Sequence, residues 1–418
     1  MRRHPFPIVL LLLGLLGVFG CSDSSGPSGP PNDGPVPTTL SAVEGEGLQA
    51  LAGTILPMGP TVQLKDQNGQ VMSDRIVTFQ VMEGGGTAVI PSLATDSQGW
   101  ARSMWILGTT AGSTQRLRAS VGCLSVEFQA EVVQPVLGQK YSSRGGYADY
   151  YAGNLPLVLT APHGGSLLPT EIPDRSWGTT GQDRNTVELI LRVRDAIYQR
   201  TGAYPHVIYS NLHRIKLDPN REIVEAAQDD PESERAWWEY HTFADRARDL
   251  VEAAFGEGFY IDLHGHGHEI PRLELGYLLS ATTLSLADEF LNSPNYVNGS
   301  SVKVLAGKPG ATLVQIIRGP QALGTLLEAR GLPAVPSQSQ HSPGNDPYFN
   351  GGYSTVRHGS RDTGKVSGVQ IECNFGGVRD TAENRQAFAE ALADALLAYF
   401  PVHFGMELAA APLAIRSP

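Results

Sequence analysis

The alternation of hydrophobic and polar positions divides the chain into two regimes. Between residues 40 and 134 the period is two. Thr61-Val62-Gln63-Leu64 alternates, Asp66-Gln67-Asn68-Gly69 supplies turn chemistry, and Val77-Thr78-Phe79-Gln80-Val81 alternates again before Gly84-Gly85-Gly86. After a second turn, Asp96-Ser97-Gln98-Gly99, residues 101–107 and 115–121 read as strands, and Val126 to Val132 closes the set. Short alternating strands punctuated by turns predict an all-β sandwich.

From residue 138 to 402 the pattern changes. Short apolar runs near 156–161, 206–210, 258–263, 274–279, 312–317 and 366–372 predict buried strands. Helical periodicity fills the intervals. It sets Val187, Ile190, Leu191 and Ile197 on one face of 186–198. It does the same for Phe243, Ala247, Leu250, Val251 and Ala254 in 234–255, and for Phe388, Ala391, Leu392, Ala395, Leu396 and Tyr399 in 381–400. Strands alternating with helices predict an α/β unit with a mixed or parallel sheet covered by helices. Residues 403–418 show no pattern and read as a tail.

The amino terminus changes the picture of where the chain resides. Arg2 and Arg3 precede an apolar run from Ile8 to Phe19 that is short for a bilayer span. The run ends at Val18-Phe19-Gly20-Cys21, which resembles a bacterial lipoprotein box. Residues 1–21 are therefore expected to be a signal peptide ending in a lipidated Cys21, with the Ser/Gly/Pro-rich segment 22–39 as a tether. The implied location is the cell envelope, at the outer membrane or the cell surface, with the membrane as partner through the lipid. A formal charge of -11 argues against nucleic acid as a partner. Three cysteines make no disulfide framework, and no CxxC suggests a structural zinc site.

Candidate chemistry gathers where the apolar runs stop. Leu157-Val158-Leu159-Thr160 leads to Pro162-His163-Gly164-Gly165, and Gly258-Phe259-Tyr260-Ile261 leads to Asp262-Leu263-His264-Gly265-His266. Ligand-binding groups of α/β sheets collect at the carboxyl ends of strands. A catalytic zinc needs about three protein ligands and an open position. His163 and His264 are the leading candidates, with His266 and His268 as alternatives in the second loop. Asp183 precedes the helix starting near 186 and fits equally a helix cap or a third ligand. Asp262 lies two residues before His264, on the same side of an extended strand, and can orient it. Glu372, ending the apolar run Val369-Gln370-Ile371, is costly to bury without a task and is the expected general base. Asn220 and Arg221 can grip a substrate carboxylate. Asp218 is expected to hold Arg221, and Arg214 to brace the loop or take a second acid group. Gly351-Gly352-Tyr353 and Arg357 read as a mobile loop in which Tyr353 or Arg357 contacts substrate.

Two resemblances follow from these residues. The first unit resembles the bacterial immunoglobulin-like domains of surface proteins. The carrying residues are Asp66-Gln67-Asn68-Gly69, Val77-Thr78-Phe79, Gly84-Gly85-Gly86, Thr95-Asp96-Ser97-Gln98-Gly99-Trp100-Ala101 and Leu107-Gly108, and they imply a spacer or adhesion module. In the second unit, Pro162-His163-Gly164-Gly165, Asp183 with Leu189, Asp218-Pro219-Asn220-Arg221, Asp262-Leu263-His264, Gly351-Gly352-Tyr353 and Gln370-Ile371-Glu372 resemble the N-formylglutamate amidohydrolase family. That resemblance implies a phosphorylase/hydrolase-like α/β fold. It also implies one zinc ion on His163, Asp183 and His264, a carboxylate-binding pair Asn220/Arg221 and a catalytic Glu372. The expected activity is hydrolysis of an amide bond in an N-acyl amino acid, peptide or cell-wall fragment with a free carboxylate. The alternative is a non-catalytic surface binding module with a degenerate hydrolase site on an immunoglobulin-like stalk.

Overall fold

The computed structural model describes residues 34–110 and 112–410. The signal segment, Cys21 and most of the tether lie outside these residues. The first unit is a sandwich. Pro37–Glu44, Thr61–Asp66 and Trp100–Arg102 form one sheet, and Leu48–Leu51, Leu124–Val133, Thr114–Val121, Ile76–Glu83 and Ser92–Ala94 the other. The first strand begins at Pro37, inside the stretch expected to be tether. Residues 101–107 form two short strands, because Ser103 leaves the ladder to bond the carbonyl of Ile90. Phe79, Trp105, Leu117 and Phe128 fill the core between the sheets.

The second unit is an eight-stranded mixed sheet. In chain order its strands are β1 (Lys140–Ser142), β2 (Ala148–Tyr151), β3 (Leu157–Ala161), β4 (His206–Ser210), β5 (Gly258–His266), β6 (Leu273–Gly276), β7 (Ala334–Val335) and β8 (Val366–Asn374). Their spatial order is β1-β2-β4-β3-β5-β8-β6-β7. The central four, β4, β3, β5 and β8, run parallel, while β2 and β6 join antiparallel. Burial on both faces explains their near-continuous apolar sequences.

Three long helices cover the sheet: α1 (Thr186–Thr201), α2 (Pro231–Phe255) and, after the short α3 (Tyr353–His358), α4 (Ala382–His403). Helix α2 starts as its sequence dictates, with Asp230 accepting from the Ser233 amide and Pro231 in the first turn, and ends at Gly256 in the left-handed region. Residues 312–317, expected to be a strand, form most of a short helix, Leu313–Arg318. Thr312 caps it, and Leu313, Ile316 and Ile317 face the core at helical spacing, which outweighs the β-branched character of the two isoleucines. The tail is not patternless throughout. Phe404 and Leu408 are buried in the main core beyond the end of α4.

The units are docked. Leu51 of the sandwich packs with Tyr150, Tyr240, Phe243 and Ala247. Arg235 donates to the carbonyls of Leu56 and Pro57, and Arg246 to the side chain of Gln134 at 2.8 Å. One face of α2 thus carries the sandwich.

Candidate metal centre

The parallel strands deliver the site. His163 follows the end of β3, His264 lies near the end of β5, and Glu372 lies opposite His264 in the register of β5 with β8. His163 Nδ1 is 3.1 Å from His264 Nδ1 and 3.2 Å from Asp183 Oδ2, and His264 Nδ1 is 3.3 Å from the same oxygen. The other ring nitrogens are engaged. His163 Nε2 lies 2.6 Å from Asp218 Oδ1, and His264 Nε2 lies 2.8 Å from Asp262 Oδ2. A carboxylate accepts, so with a metal bound each Nε2 would keep its proton and each Nδ1 would offer its lone pair. Two imidazole nitrogens and a carboxylate oxygen converge.

Ligands of tetrahedral zinc at about 2.05 Å stand about 3.3 Å apart. The observed triangle has that size, so the donor set fits a zinc ion. Asp183 is not the cap of α1, because the capping position is Asn185, in the left-handed region, with no side-chain cap bond. The Asp183 side chain instead turns to the histidines and accepts from the Gly265 amide at 3.1 Å.

Electrostatics follow the same logic. Burial alone would lift the Asp183 and Asp218 carboxyls, but His163, assisted by His264 at Asp183 and by Arg214 and Arg221 at Asp218, holds both well below the usual range. Burial would lower His264, but Asp262 and Asp183 raise it well above the ordinary value. The Glu372 carboxyl is pushed up to about 8 by burial, with His264 opposing and Asp183 and Glu274 reinforcing.

Other expectations change. Asp218 does not grip the Arg221 side chain. It orients His163 and accepts from Arg214 Nε at 2.8 Å, because its buried position under the first loop faces those groups. Arg214 is thereby committed to the carboxylates around the histidines, with Nη1 3.8 Å from Asp183 Oδ1. Asn220 gives Oδ1 to the Ser354 amide at 2.8 Å. Arg221 bonds Glu225 and its neighbour's carbonyl through Nε and Nη1. Its Nη2 makes no hydrogen bond among the described residues, and the side chain is about one-third exposed.

The segment expected to be a mobile loop is held. Gly351, at φ 116°, and Gly276 allow close backbone approach, and the Leu278 amide bonds the Asn350 carbonyl. Tyr353 and Arg357 stand on α3. Arg357 pairs with Asp245 at 2.7 Å and stacks on Trp237, so its charge is spent within the protein. His266 stands outside the triangle, where its Nε2 donates to the Arg272 carbonyl and its Nδ1 accepts from the His268 amide. His268 pairs with Glu274 and stacks on Phe349, away from the triangle.

Sequence reasoning missed Thr160, whose hydroxyl lies 2.6 Å from Asp262 Oδ1 and 2.7 Å from Tyr260 Oη. It also missed Arg379, which donates to the carbonyls of Cys373, Arg184 and His266, tying β8, the Asp183 loop and β5 together. The guanidinium lies where a Cβ on Gly265 would be, so glycine after the second histidine is required by this clip. A glycine facing a distant arginine was the only sequence signal for it.

No family model and no curated protein matches the chain. Among solved structures, domains 4 and 5 of the S-layer protein SbsC match at 20% identity and a TM-score of 0.19, covering 24% of this chain and 54% of that one. The D00-D0 domain of intimin matches at 18% identity and a TM-score of 0.19, covering 24% and 49%. A gene product of Agrobacterium tumefaciens matches at 14% identity and a TM-score of 0.33, covering 60% of this chain and 93% of that one. The chain thus spans about half the length of the first two. Fold and site together define a two-unit chain: a β-sandwich docked on a mixed α/β sheet that carries a buried histidine–carboxylate centre.

Proposed function

We propose that the chain is a zinc-dependent amidohydrolase of the cell envelope, acting on an acylated amino acid, peptide or cell-wall fragment with a free carboxylate, on a phosphorylase/hydrolase-like sheet. One observation carries the reading: two imidazole nitrogens and a carboxylate oxygen converge at the carboxyl end of the sheet beside a buried glutamate. His163, Asp183 and His264 would hold the ion, with Asp218 and Asp262 fixing the two imidazoles. A bound zinc supplies Lewis acidity to a carbonyl and acidity to water. Glu372 takes the proton from the attacking water on a carboxylate oxygen and returns it to the leaving nitrogen. Gln370 Nε2 holds the other oxygen, Oε1, at 2.9 Å. Arg221 Nη2 and Asn220 Nδ2 orient the carboxylate of the substrate.

The test is elemental analysis of the purified protein, followed by a panel of N-acyl amino acids and peptides. About one zinc per chain and cleavage of a carboxylate-bearing amide are expected, whereas failure to bind added zinc overturns the reading. The envelope location rests on Cys21. Among the described residues no helix is long and apolar enough to cross a membrane. Cys21→Ser is expected to move the protein out of the membrane fraction.

The second reading is a surface binding module with a degenerate site. It is favoured by how closed the centre is, with His163 and His264 each 1% exposed and Glu372 5%. Zinc binding without cleavage of any amide in the panel would select it.

A further inference from the structure

Asn220 and Arg221 sit on a segment that no strand or helix holds. Its carbonyls are claimed instead by two side chains of α2, one helical turn apart. Trp237 Nε1 donates to the Arg221 carbonyl at 3.0 Å, and His241 Nε2 lies 3.0 Å from the Pro219 carbonyl. The two bonds bracket Asn220. From the opposite side Asp218 Oδ1 accepts the Asn220 amide at 3.0 Å, and the Ser354 amide donates to its side chain.

The tautomer of His241 is determined. A carbonyl only accepts, so His241 Nε2 carries the hydrogen and Nδ1 must accept. Its donor is His358 Nε2, at 2.9 Å, and His358 Nδ1 faces Asp245 Oδ1 at 3.3 Å. Asp245 is held in turn by Arg357. Both imidazoles are fully buried, and Tyr353 packs against the rings of Trp237 and His241. The Pro219 carbonyl thus fixes the tautomer of His241, and His358, Asp245 and Arg357 are packed behind it.

We infer that Trp237 and His241 are positioning residues for substrate specificity. They fix the backbone on either side of Asn220 so that Asn220 and Arg221 meet a carboxylate in one geometry. This rests on the reading of Asn220 and Arg221 as the carboxylate grip. Neither residue touches substrate. Their effect is on discrimination between acid and neutral substrates, because a loosened grip costs the charged contact and leaves Glu372 and the histidines in place.

The test uses the zinc-loaded full chain, with N-acetyl-L-alanine and N-acetyl-L-alaninamide as probes. Trp237→Phe keeps an aromatic ring against His241 and Tyr353 and removes the donor together with part of the indole volume. It is expected to raise KM for the acid about tenfold, as for loss of a bond that leaves a buried carbonyl unpaired. The amide's KM and both kcat values should stay within about twofold. His241→Leu should do the same, and His241→Gln, which can offer a donor, should restore most of the loss. Equal losses on both probes, or none, overturn the inference. Hydrogen exchange of the 217–222 amides provides a readout independent of turnover. Exchange there should quicken in Trp237→Phe and His241→Leu, while β5 stays unchanged. Unchanged exchange overturns the positioning role whatever the kinetics. If the parent cleaves neither probe, the hydrolase reading has failed for these substrates, and exchange alone decides the matter.

Discussion

The sandwich and the mixed-sheet unit treat charge in opposite ways. Within the sandwich, every ion pair among the described residues joins side chains 37–49% exposed. Its one buried charged residue among those described, Asp66, accepts the amides of Asn68 and Gln70 in a turn. The mixed-sheet unit buries Asp183, Asp218, Asp262, Glu274 and Glu372 with arginines among them. Removing a carboxylate from water is costly unless partners or a task offset it. The sandwich spends its charge on solubility and register. The sheet concentrates charge at the carboxyl ends of its central strands β3, β5 and β8, and that is where chemistry is expected.

The contrast can be broken by substitution. His264→Ala should have the largest effect. Loss of a direct ligand should weaken zinc binding by more than the roughly 10–100-fold typical of outer partners, with zinc content as the readout. Glu372→Gln should keep the zinc and lower turnover by about 100 to 10,000-fold in steady-state kinetics on whichever amide the parent cleaves. Turnover equal to the parent would make Glu372 structural.

Arginines sharpen the comparison at the level of stability. Arg235, paired with the buried Glu239, should cost about 3 kcal/mol as Arg235→Ala in denaturant unfolding. Arg118, paired with Glu127 on the sandwich surface, should cost no more than about 1 kcal/mol as Arg118→Ala. Similar values for the two would remove the distinction drawn here.

The smallest effect concerns pH. Burial lifts the Glu239 carboxyl from 4.5 to about 7, against the pull of Arg144 and Arg235. The folded state therefore binds this proton more tightly than the unfolded chain. The resulting stability is complete below about pH 4.5 and is lost as pH rises toward 7. The Tm of the parent should fall across that window relative to Glu239→Gln, and parallel curves would refute the assignment.

Much of this was legible in sequence because it was local. The strands ending at His163, His264 and Glu372 announced themselves as apolar runs stopping at polar residues. The long helices followed from their stripes. Residues 312–317 misled because an apolar run of that length fits either structure, and only core packing decides. Strands β1 and β2 were missed, since β2 is placed by pairing with the distant β4 at residues 206–210 and β1 is the edge strand paired on β2. Asp183 stayed ambiguous because the choice between cap and ligand is made by two histidines distant in sequence. Trp237 and His241 were not legible at all. The stripe read for α2 did not include them, and their partners are carbonyls 16 and 22 residues earlier, which no side-chain pattern reports.

Helix α2 is read from both sides, by the sandwich through Arg235, Phe243 and Arg246 and by the Pro219–Arg221 segment through Trp237 and His241. In sequence the two units look like beads that recombination could exchange freely. In the fold they share a wall. A transplanted sandwich must carry carbonyls where Leu56 and Pro57 present theirs, or the host must rewrite the outer face of α2 while leaving its inner face untouched. The heritable module is therefore larger than either bead: it is the sandwich together with the helix that it leans on.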